Sequence, residues 1–310
     1  MTTTATTMEF IDSTPLYEAE DWEGLRRREQ EEGYLFFKQL LPKEPLYDLR
    51  MQMLEVVERY GWLSKTESVE KGILDMEAVQ AVPEEAVRLD IGVPFKAYED
   101  VQRLEAFHRL PHHPNLLKLY EGIFGEPVLV HARHIARMVT PHPAMEPTPQ
   151  HQDFPLIQGT SNTWTCWFPL SDCPRELGGL TVLRQSDRMG YVPIQPALGA
   201  GNISAQLCSG EDTWVEGDYE MGDVLTFPAY TIHKALRCNY KDRIRLSLDV
   251  RYQPLSEDIE YRSLESHCDL SWEQIYADWE NDDLKYYWRK YGLKTSPWDD
   301  RLMQPSRRIC

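Results

Sequence analysis

The chain has 310 residues, of which 42% are hydrophobic and 27% charged, and this composition suits a folded globular protein rather than a disordered one. Its formal net charge of -17 opposes binding to nucleic acid and to anionic membrane surfaces, so neither is an expected partner. The first twenty residues do not resemble a secretory signal, no apolar run is long enough to span a membrane, and the six cysteines are scattered in the manner of reduced thiols, so the expected location is the cytoplasm.

Helical signals dominate the part of the chain before residue 127. Asp21 can cap a charged helix that Gly33 ends, and a short apolar strand follows. A second helix begins after Pro42, because apolar residues then recur at helical spacing. The stretch 62–100 is expected to be an ordered insertion or a lid. The predicted elements of this part are helices over 21–32, 42–57, 98–108 and 115–123 and a strand over 34–37.

Strand signals begin at about residue 127. Short apolar runs alternate with Gly, Pro, Asn and Asp, which predicts a sandwich or barrel. The predicted strands are 128–139, 163–169, 180–183, 224–227 and 244–252. The segment 254–310 is charged, aromatic and of helical character. We therefore predict one domain over 1–310, mainly β with flanking helices: a helical N-terminal part (1–126), a β core (127–253) and a helical tail (254–310).

The most informative motif is His151-Gln152-Asp153, which is followed much later by His233. Residues i and i+2 of a strand point to the same side, so His151 and Asp153 can act together. Two imidazoles and one carboxylate suit a ferrous ion that keeps positions open for other ligands. The tripeptide alone is common, and a lone histidine is more often a core residue than a ligand.

Further motifs follow this pair in a fixed order. They are W-x-P-L-x-D at 167–172, G-G-L-T-V-L at 178–183, G-D-V-x-x-F at 222–227 and R-x-S-x-D-x-R-Y at 245–252. In this ordered set the chain resembles the phytanoyl-CoA dioxygenase-like family of iron(II)/2-oxoglutarate oxygenases over residues 30–253. One departure is the segment 184–187, which reads Arg-Gln-Ser-Asp where the family often has Gly-Ser-His, and this difference is expected to concern the substrate rather than the iron.

The resemblance implies a double-stranded β-helix, a cupin-like jelly roll, whose mouth holds the metal. His151, Asp153 and His233 would be the metal ligands and the catalytic residues. Related halogenases have Ala or Gly in place of the aspartate, so the presence of Asp153 implies hydroxylation, desaturation or ring formation at a C–H bond rather than halogenation. The implied cofactors are Fe(II), 2-oxoglutarate and O2, with 2-oxoglutarate converted to succinate and CO2.

The far carboxylate of 2-oxoglutarate requires a cation inside the barrel. Arginine suits this role, because its planar fork binds a carboxylate through two parallel hydrogen bonds. Arg245 follows His233 at close to the spacing usual in the family, and Ser247 lies on the same strand face. The alternative for Arg245 is the solvated face of a half-buried strand, since charged and apolar residues alternate there. The further cosubstrate candidates are Trp167, Arg137, Arg243 and Arg251.

The expected substrate is a small organic molecule such as a secondary metabolite. Aromatic and apolar residues are predicted to line its site, because they lie near the metal ligands in the sequence: Phe154, Leu156, Ile157, Trp164 and Tyr230. A CoA ester is less attractive, since no basic cluster is evident near the mouth. A cupin-like protein that binds a metal or small molecule without catalysis is the alternative function, and a scaffold without activity is a third. No pattern in the sequence indicates an oligomeric state.

Overall fold

The computed structural model describes residues 7–210 and 213–309. Its helices are α1 (Thr14–Glu18), α2 (Trp22–Glu32), α3 (Lys43–Arg59), α4 (Met76–Gln80), α5 (Phe95–Gln102), α6 (Glu105–Arg109), α7 (Pro114–Phe124), α8 (Phe154–Ile157) and α9 (Trp272–Ile275). Its strands are β1 (Thr7–Met8), β2 (Leu35–Phe37), β3 (Val128–Val130), β4 (Ile135–Val139), β5 (Trp164–Pro169), β6 (Leu180–Leu183), β7 (Ile194–Pro196), β8 (Ile203–Ala205), β9 (Trp214–Val215), β10 (Val224–Pro228), β11 (His233–Ala235), β12 (Arg245–Pro254), β13 (Ile259–Glu260) and β14 (Thr295–Ser296). Within these ranges no helix has the length and apolar character that crossing a membrane requires.

Two sheets pack face to face and form the core of the protein. The larger sheet has the strand order β2-β10-β5-β12-β3, and β4 also pairs with β12; the smaller sheet has the order β1-β9-β6-β11. Trp167 and Phe227 of the larger sheet pack with Val182 and Val215 of the smaller one. This arrangement is consistent with the predicted jelly roll, although the sheets do not close into a continuous barrel.

The N-terminal helices cover the outer face of the larger sheet. Apolar residues of α2, α3, α5, α6 and α7 join those of β4, β5 and β12 in one cluster. Tyr120 of α7 stacks on Tyr252 of β12 with ring centres 3.9 Å apart, and its hydroxyl lies 2.6 Å from that of Thr226. Because the helices hold the sheet from outside, the opposite face of the sheet is free to carry polar groups.

β12 is buried along its whole length, so the alternation in its sequence does not mark a solvated face. The helix-facing residues are Leu246, Leu248, Val250 and Tyr252. The residues of the opposite parity, which face the space between the sheets, are Arg245, Ser247, Asp249, Arg251 and Gln253. A strand with one apolar face and one charged face therefore lies at the centre of the protein.

Several predicted elements are confirmed at their ends. The Asp21 carboxylate accepts the Gly24 N–H at 2.8 Å and begins α2, and Gly33 ends this helix with φ of 80°.

The segment around Gly92 approaches β4 closely. A side chain at Gly92 would be strained, because φ is 90° and a Cβ would lie 2.4 Å from the Met138 carbonyl oxygen. This close approach sets the segment 88–92 directly against β4, and the Met138 N–H donates to the Ile91 carbonyl at 2.9 Å.

Other elements differ from the predictions. The predicted strand 128–139 is two strands, β3 and β4, and the predicted helix 98–108 is two helices, because Leu104 is extended between them. The hairpin β7–β8 and the short strands β9, β11, β13 and β14 were not predicted. Cys166, Cys173, Cys238 and Cys268 are free thiols, but Cys208 is disulfide-bonded, so the expectation of reduced thiols is wrong at that position.

The C-terminal tail is less helical than predicted. In the described part of the tail, α9 is the only α-helix, and short 3-10 turns and irregular backbone make up most of the remainder. Aromatic side chains fix this backbone one at a time: the Trp272 indole N–H donates to the Leu264 carbonyl at 3.0 Å, and that of Trp279 donates to the Arg103 carbonyl at 3.1 Å. Anchoring by single large rings does not require helical periodicity.

Candidate metal and cosubstrate site

Three of the predicted side chains meet at one end of the space between the sheets. His151 and His233 form an antiparallel bridge, with mutual N–H to carbonyl distances of 2.9 and 3.0 Å, which brings their rings to 4.2 Å between centres. Asp153 Oδ1 lies 3.5 Å from His151 Nε2 and 3.8 Å from His233 Nε2. The potential ligand atoms of the three residues all lie within 4.8 Å of one another, and all three residues are buried.

Both imidazoles are oriented by backbone carbonyls. His151 Nδ1 lies 2.9 Å from the Pro149 carbonyl oxygen, and His233 Nδ1 lies 3.1 Å from that of Thr231. A carbonyl can only accept, so each Nδ1 carries a proton and each Nε2 is the ring atom left to face a metal. Burial and the neighbouring His151 lower the pKa of His233 to about 4, which keeps this ring neutral. Imidazoles whose Nδ1–H is held in this way are oriented for metal binding through Nε2.

The Asp153 carboxylate divides its two oxygens between the protein and the candidate metal position. Its Oδ2 accepts hydrogen bonds from the Thr165 hydroxyl and, at 3.0 Å, from Arg251 Nη2. Burial alone would raise the pKa of Asp153, but Arg251 and the two histidines outweigh it and hold the pKa well below its ordinary value. Oδ1 therefore remains an ionised ligand atom, directed at the two Nε2 atoms.

This donor set fits a divalent iron. Two neutral nitrogens and one carboxylate oxygen on one side of a cavity are the ligands of the open facial sites that non-haem iron occupies. Of the residues the structure describes, His151, Asp153 and His233 are the one group of three or more that satisfies the spacing for a metal. Thr165 was not identified as a site residue from the sequence, although it lies two residues before Trp167 on β5 and therefore on the same face of the strand.

A small inner cavity lies beside the cluster and reaches Arg245. Its walls include His151, His233, Trp167 and Arg245. The Arg245 guanidinium carbon lies 5.9 Å from the centre of the Trp167 ring. Arg245 Nε and Ser247 Oγ are both buried without a hydrogen-bond partner, which is costly unless a ligand supplies one. A carboxylate at this end of the cavity would satisfy Arg245, and Ser247 is a second unpartnered donor on the same face of β12, so the residues present fit the far end of 2-oxoglutarate.

The other candidate arginines occupy different environments. Arg137 lines the inner cavity, and its Nε donates to Asp249 at 2.7 Å while its Nη1 donates to the Asp90 carbonyl. Arg251 also lines the cavity and supports Asp153, and its Nε and Nη1 have no partner. Arg243 is exposed and packs over the Tyr240 ring instead. The structure therefore brings every predicted cosubstrate residue except Arg243 to the interior.

The residues predicted to contact substrate lie in different places: Leu156 and Ile157 line a cleft beside the metal cluster, and the other three do not. Phe154 and Tyr230 contact each other with ring centres 4.8 Å apart. Trp164 lies in the cluster between the larger sheet and the helices, where it meets Phe124, so it faces away from the metal cluster. In the segment 184–187, Arg184 is held by two hydrogen bonds to Glu32 of α2, at 2.6 and 2.9 Å, so this arginine is directed at the helix.

A cleft of about 230 Å³ also borders the cluster, and its lining includes residues that the sequence did not indicate. His151 and Asp153 form part of its floor, and Arg133, Arg262 and Trp298 form part of its walls. Arg133 lies between β3 and β4, while Arg262 and Trp298 belong to the tail. No periodic pattern in the sequence connects the tail to this site, so only the packing of the folded chain identifies them.

Comparison with known proteins gives a consistent result. The family model described as phytanoyl-CoA dioxygenase (PhyH) matches residues 30–243. The 1-deoxypentalenic acid 11-beta-hydroxylase of Streptomyces arenae is 29% identical over 274 residues, which cover 84% of this chain and 90% of the relative. The enzyme of the same name from Streptomyces exfoliatus is 28% identical over 274 residues, with the same coverage.

Solved structures share the fold at lower identity. The epimerase SnoN from nogalamycin biosynthesis, in complex with Fe3+, alpha ketoglutarate and nogalamycin RO, has a TM-score of 0.53 and 18% identity over 78% of this chain and 86% of its own. The non-heme alpha ketoglutarate dependent carbocyclase SnoK has a TM-score of 0.51 and 18% identity over 76% of this chain and 85% of its own. The match to the family model covers more than half of the chain, and together with the donor set it identifies an Fe(II)/2-oxoglutarate-dependent oxygenase: the chain belongs to the phytanoyl-CoA dioxygenase family.

Proposed function

We propose that the protein hydroxylates a C–H bond of a compact, largely apolar secondary metabolite. The observation that carries this proposal is the continuity of the cleft with the metal cluster: His151 and Asp153 line the cleft together with Ile135, Leu156 and Ile157. A substrate in the cleft would be in contact with apolar walls and would face the candidate metal position. The cleft of about 230 Å³ lies below the range of ~300–1,000 Å³ usual for ligand pockets, which favours a compact molecule.

In this proposal His151, Asp153 and His233 hold Fe(II) through two Nε2 atoms and one carboxylate oxygen. When bound, the iron together with 2-oxoglutarate and O2 supplies the oxidising power, and 2-oxoglutarate is converted to succinate and CO2. The residues of the chain have three tasks: they fix the ligand atoms, they orient the cosubstrate and they keep water away from the reacting C–H bond.

Each task is assigned to particular side chains. Thr165 and Arg251 hold the outer oxygen of Asp153, so the inner oxygen stays directed at the metal position. Arg245 and Ser247 bind the far carboxylate of 2-oxoglutarate, and Trp167 lies against Arg245. The apolar walls of the cleft exclude water from the substrate.

The names of the relatives favour hydroxylation over desaturation and ring formation, and Asp153 favours it over halogenation. The relatives at 29% and 28% identity are named as hydroxylases of a small secondary metabolite. Asp153 also occupies the position of a third protein ligand, with its carboxylate ionised and aimed at the histidines. A cupin-like protein that binds a metal without catalysis is less consistent with the buried, unpartnered groups of Arg245 and Ser247. Such a protein has no need of an anion-binding site beside its metal.

We also propose that the chain acts as a single domain whose parts are 1–126, 127–253 and 254–310. The largest apolar cluster includes residues of both the N-terminal helices and the β core, and Cys268 and Tyr287 of the tail pack against it. A cytoplasmic location is part of the same proposal; four of the described cysteines are free thiols, whereas Cys208 is disulfide-bonded.

The test of the proposed function begins without oxygen. Addition of Fe(II) and 2-oxoglutarate to the anaerobic protein should produce a weak charge-transfer absorption in the visible range, and His151→Ala or Asp153→Ala should abolish it. His113→Ala, a histidine at the start of α7, is the matched control and should leave the absorption unchanged. Aerobic succinate formation is then measured with 1-deoxypentalenic acid as the first candidate substrate. Absence of the absorption from the wild-type protein would refute the proposed function.

A further inference from the structure

The cleft beside the metal cluster is unusually rich in arginine for a protein with a formal net charge of -17. Its arginines are Arg133, Arg137, Arg251 and Arg262. Two of them form ion pairs with buried carboxylates of the protein: Arg137 Nε lies 2.7 Å from Asp249, and Arg251 Nη2 lies 3.0 Å from Asp153. The charges of these two arginines are therefore largely balanced before any ligand enters.

The other two arginines lack such partners. The acid nearest to Arg133 is Glu265, whose oxygen is 3.8 Å away in a half-exposed contact. Arg262 makes no ion pair with any described residue, and its guanidinium carbon lies 4.2 Å from the centre of the Trp298 ring. A guanidinium that stacks by its flat face keeps its edge accessible, and here Nε donates to the Tyr261 hydroxyl at 3.4 Å, which leaves the Nη groups for a ligand.

The acids that line the cleft do not neutralise these two arginines. The Asp90 carboxylate is occupied by two hydrogen bonds from Arg88, at 3.0 and 2.7 Å. Glu260 is the remaining acid, and its Oε2 accepts the backbone N–H of Arg262 at 2.9 Å. Among the residues that line the cleft, these two guanidinium groups therefore outnumber the one remaining carboxylate; Glu265, 3.8 Å from Arg133, lies outside the lining.

The remaining lining of the cleft connects the two arginines with the candidate metal position. Ile135, Leu156 and Ile157 are apolar walls, and the floor reaches His151 and Asp153. An elongated or bicyclic apolar molecule with one acidic group would place its acid on the arginines and its hydrocarbon part over the candidate metal position. At about 230 Å³ the cleft is too small to enclose an acyl-CoA.

We propose that the substrate is a compact apolar carboxylic acid, and that Arg133 and Arg262 bind its carboxylate and thereby select which C–H bond faces the iron. This inference rests on the proposed function, because it assigns a substrate class to the same site. Arginine forks bind carboxylates through paired, charge-assisted hydrogen bonds, so a neutral analogue of the same shape should bind less well.

The experiment measures binding rather than turnover. The anaerobic protein with Fe(II) and 2-oxoglutarate is titrated by calorimetry with a panel of compact carbocyclic acids, which includes 1-deoxypentalenic acid, and with the methyl ester of each. We expect at least one acid to bind about tenfold or more tightly than its ester, since a hydrogen bond to a charged group contributes about 1.5–3 kcal/mol and 1.4 kcal/mol corresponds to tenfold. Coenzyme A should not compete.

Arginine variants locate the effect. The double variant with Arg133→Gln and Arg262→Gln should bind acid and ester equally, and Arg262→Lys should keep part of the preference because the charge remains. Arg289→Gln is the matched control: Arg289 also stacks on a ring, 3.7 Å from the centre of Tyr286, but it does not line the cleft. This control should keep the full preference.

The outcomes separate this inference from the proposed function. If the wild-type protein lacks the visible absorption with Fe(II) and 2-oxoglutarate, the proposed function fails. If the absorption is present but esters bind as tightly as acids, or the preference survives in the double variant, the inference alone is overturned. Failure of every acid to bind at millimolar concentration, or tight competition by coenzyme A, would also overturn it.

Discussion

Replacement of Arg245 by methionine should affect the free protein and the 2-oxoglutarate complex in opposite ways. In the free protein Arg245 is buried, its Nε has no partner, and burial lowers the pKa of its guanidinium. Burial of a cation without a close partner is unfavourable, so an apolar side chain of similar length should raise the free energy of unfolding by on the order of 1 kcal/mol. Asp249 would not be left unpaired, because Arg137 holds it at 2.7 Å.

The complex should be weakened strongly by the same change. Loss of one partner of a buried, hydrogen-bonded charge pair costs about 2–5 kcal/mol, which raises the Kd of 2-oxoglutarate roughly 30-fold or more. A ligand at a hundred times its Kd stabilises a protein by about 2.7 kcal/mol, and this stabilisation should be nearly absent from the variant. Urea unfolding with and without 2-oxoglutarate, and anaerobic titration of the visible absorption, measure the two effects.

Arg243→Met is the control, since Arg243 lies two residues away but is exposed. It should change neither the Kd of 2-oxoglutarate nor the stability of the free protein to a comparable degree. An Arg245→Met variant that binds 2-oxoglutarate as tightly as the wild type would refute the assigned role. A variant that is strongly destabilised without ligand would refute the view that Arg245 lacks a partner.

Three further changes test other parts of the structure. Thr165→Val removes the hydroxyl that donates to Asp153 and should lower the affinity for Fe(II) about 10- to 100-fold, as measured by competition with a chelator; an unchanged affinity would contradict the supporting role of Thr165. Burial lowers the pKa of His108 from 6.5 to about 4, so between these pH values the unfolded chain binds more protons than the folded protein. The free energy of unfolding should therefore decrease as the pH falls from 6.5 to 4, and His108 should account for roughly 3 kcal/mol of this decrease. The urea midpoint of unfolding should fall less over this pH range for His108→Phe than for the wild type. Equal pH dependence of the two proteins would exclude His108 as the source of the lost stability. Trp164→Ala should cost about 3–5 kcal/mol of stability, because the ring is buried against the helices, yet leave the Kd of 2-oxoglutarate unchanged; a changed Kd would contradict its placement.

The sequence was informative where chemistry and strand parity agree. Arg245 and Ser247 share a face of β12 because they are two residues apart. His151 and Asp153 also meet, but not on one strand as predicted: His151 makes an isolated bridge to His233, and Asp153 is the N-cap of α8. Parity also separates Trp164 from Trp167 on β5, so the prediction that Trp164 contacts substrate relied on closeness in the sequence where strand geometry argued against it.

Other features depend on contacts that a single sequence does not display. Charged and apolar residues alternate along β12, and this pattern is expected both for a strand with a solvated face and for a strand whose charged face lies between two sheets. Only the second sheet, packed over that face, distinguishes the two cases. Arg262 and Trp298 reach the cleft from an irregular tail, whose backbone follows individual ring contacts rather than a repeating pattern.

Strand β12 and the walls of the cleft come from different parts of the chain. One strand carries both Arg245, which we propose binds the cosubstrate, and Arg251, which donates to Asp153, so a shift in its register would displace both at once. Arg133, Arg262 and Trp298 lie outside this strand, on connections and in the tail. Substrate scope can therefore diverge among descendants of this fold through insertions and exchanges in the peripheral segments, while the oxidising centre is inherited unaltered.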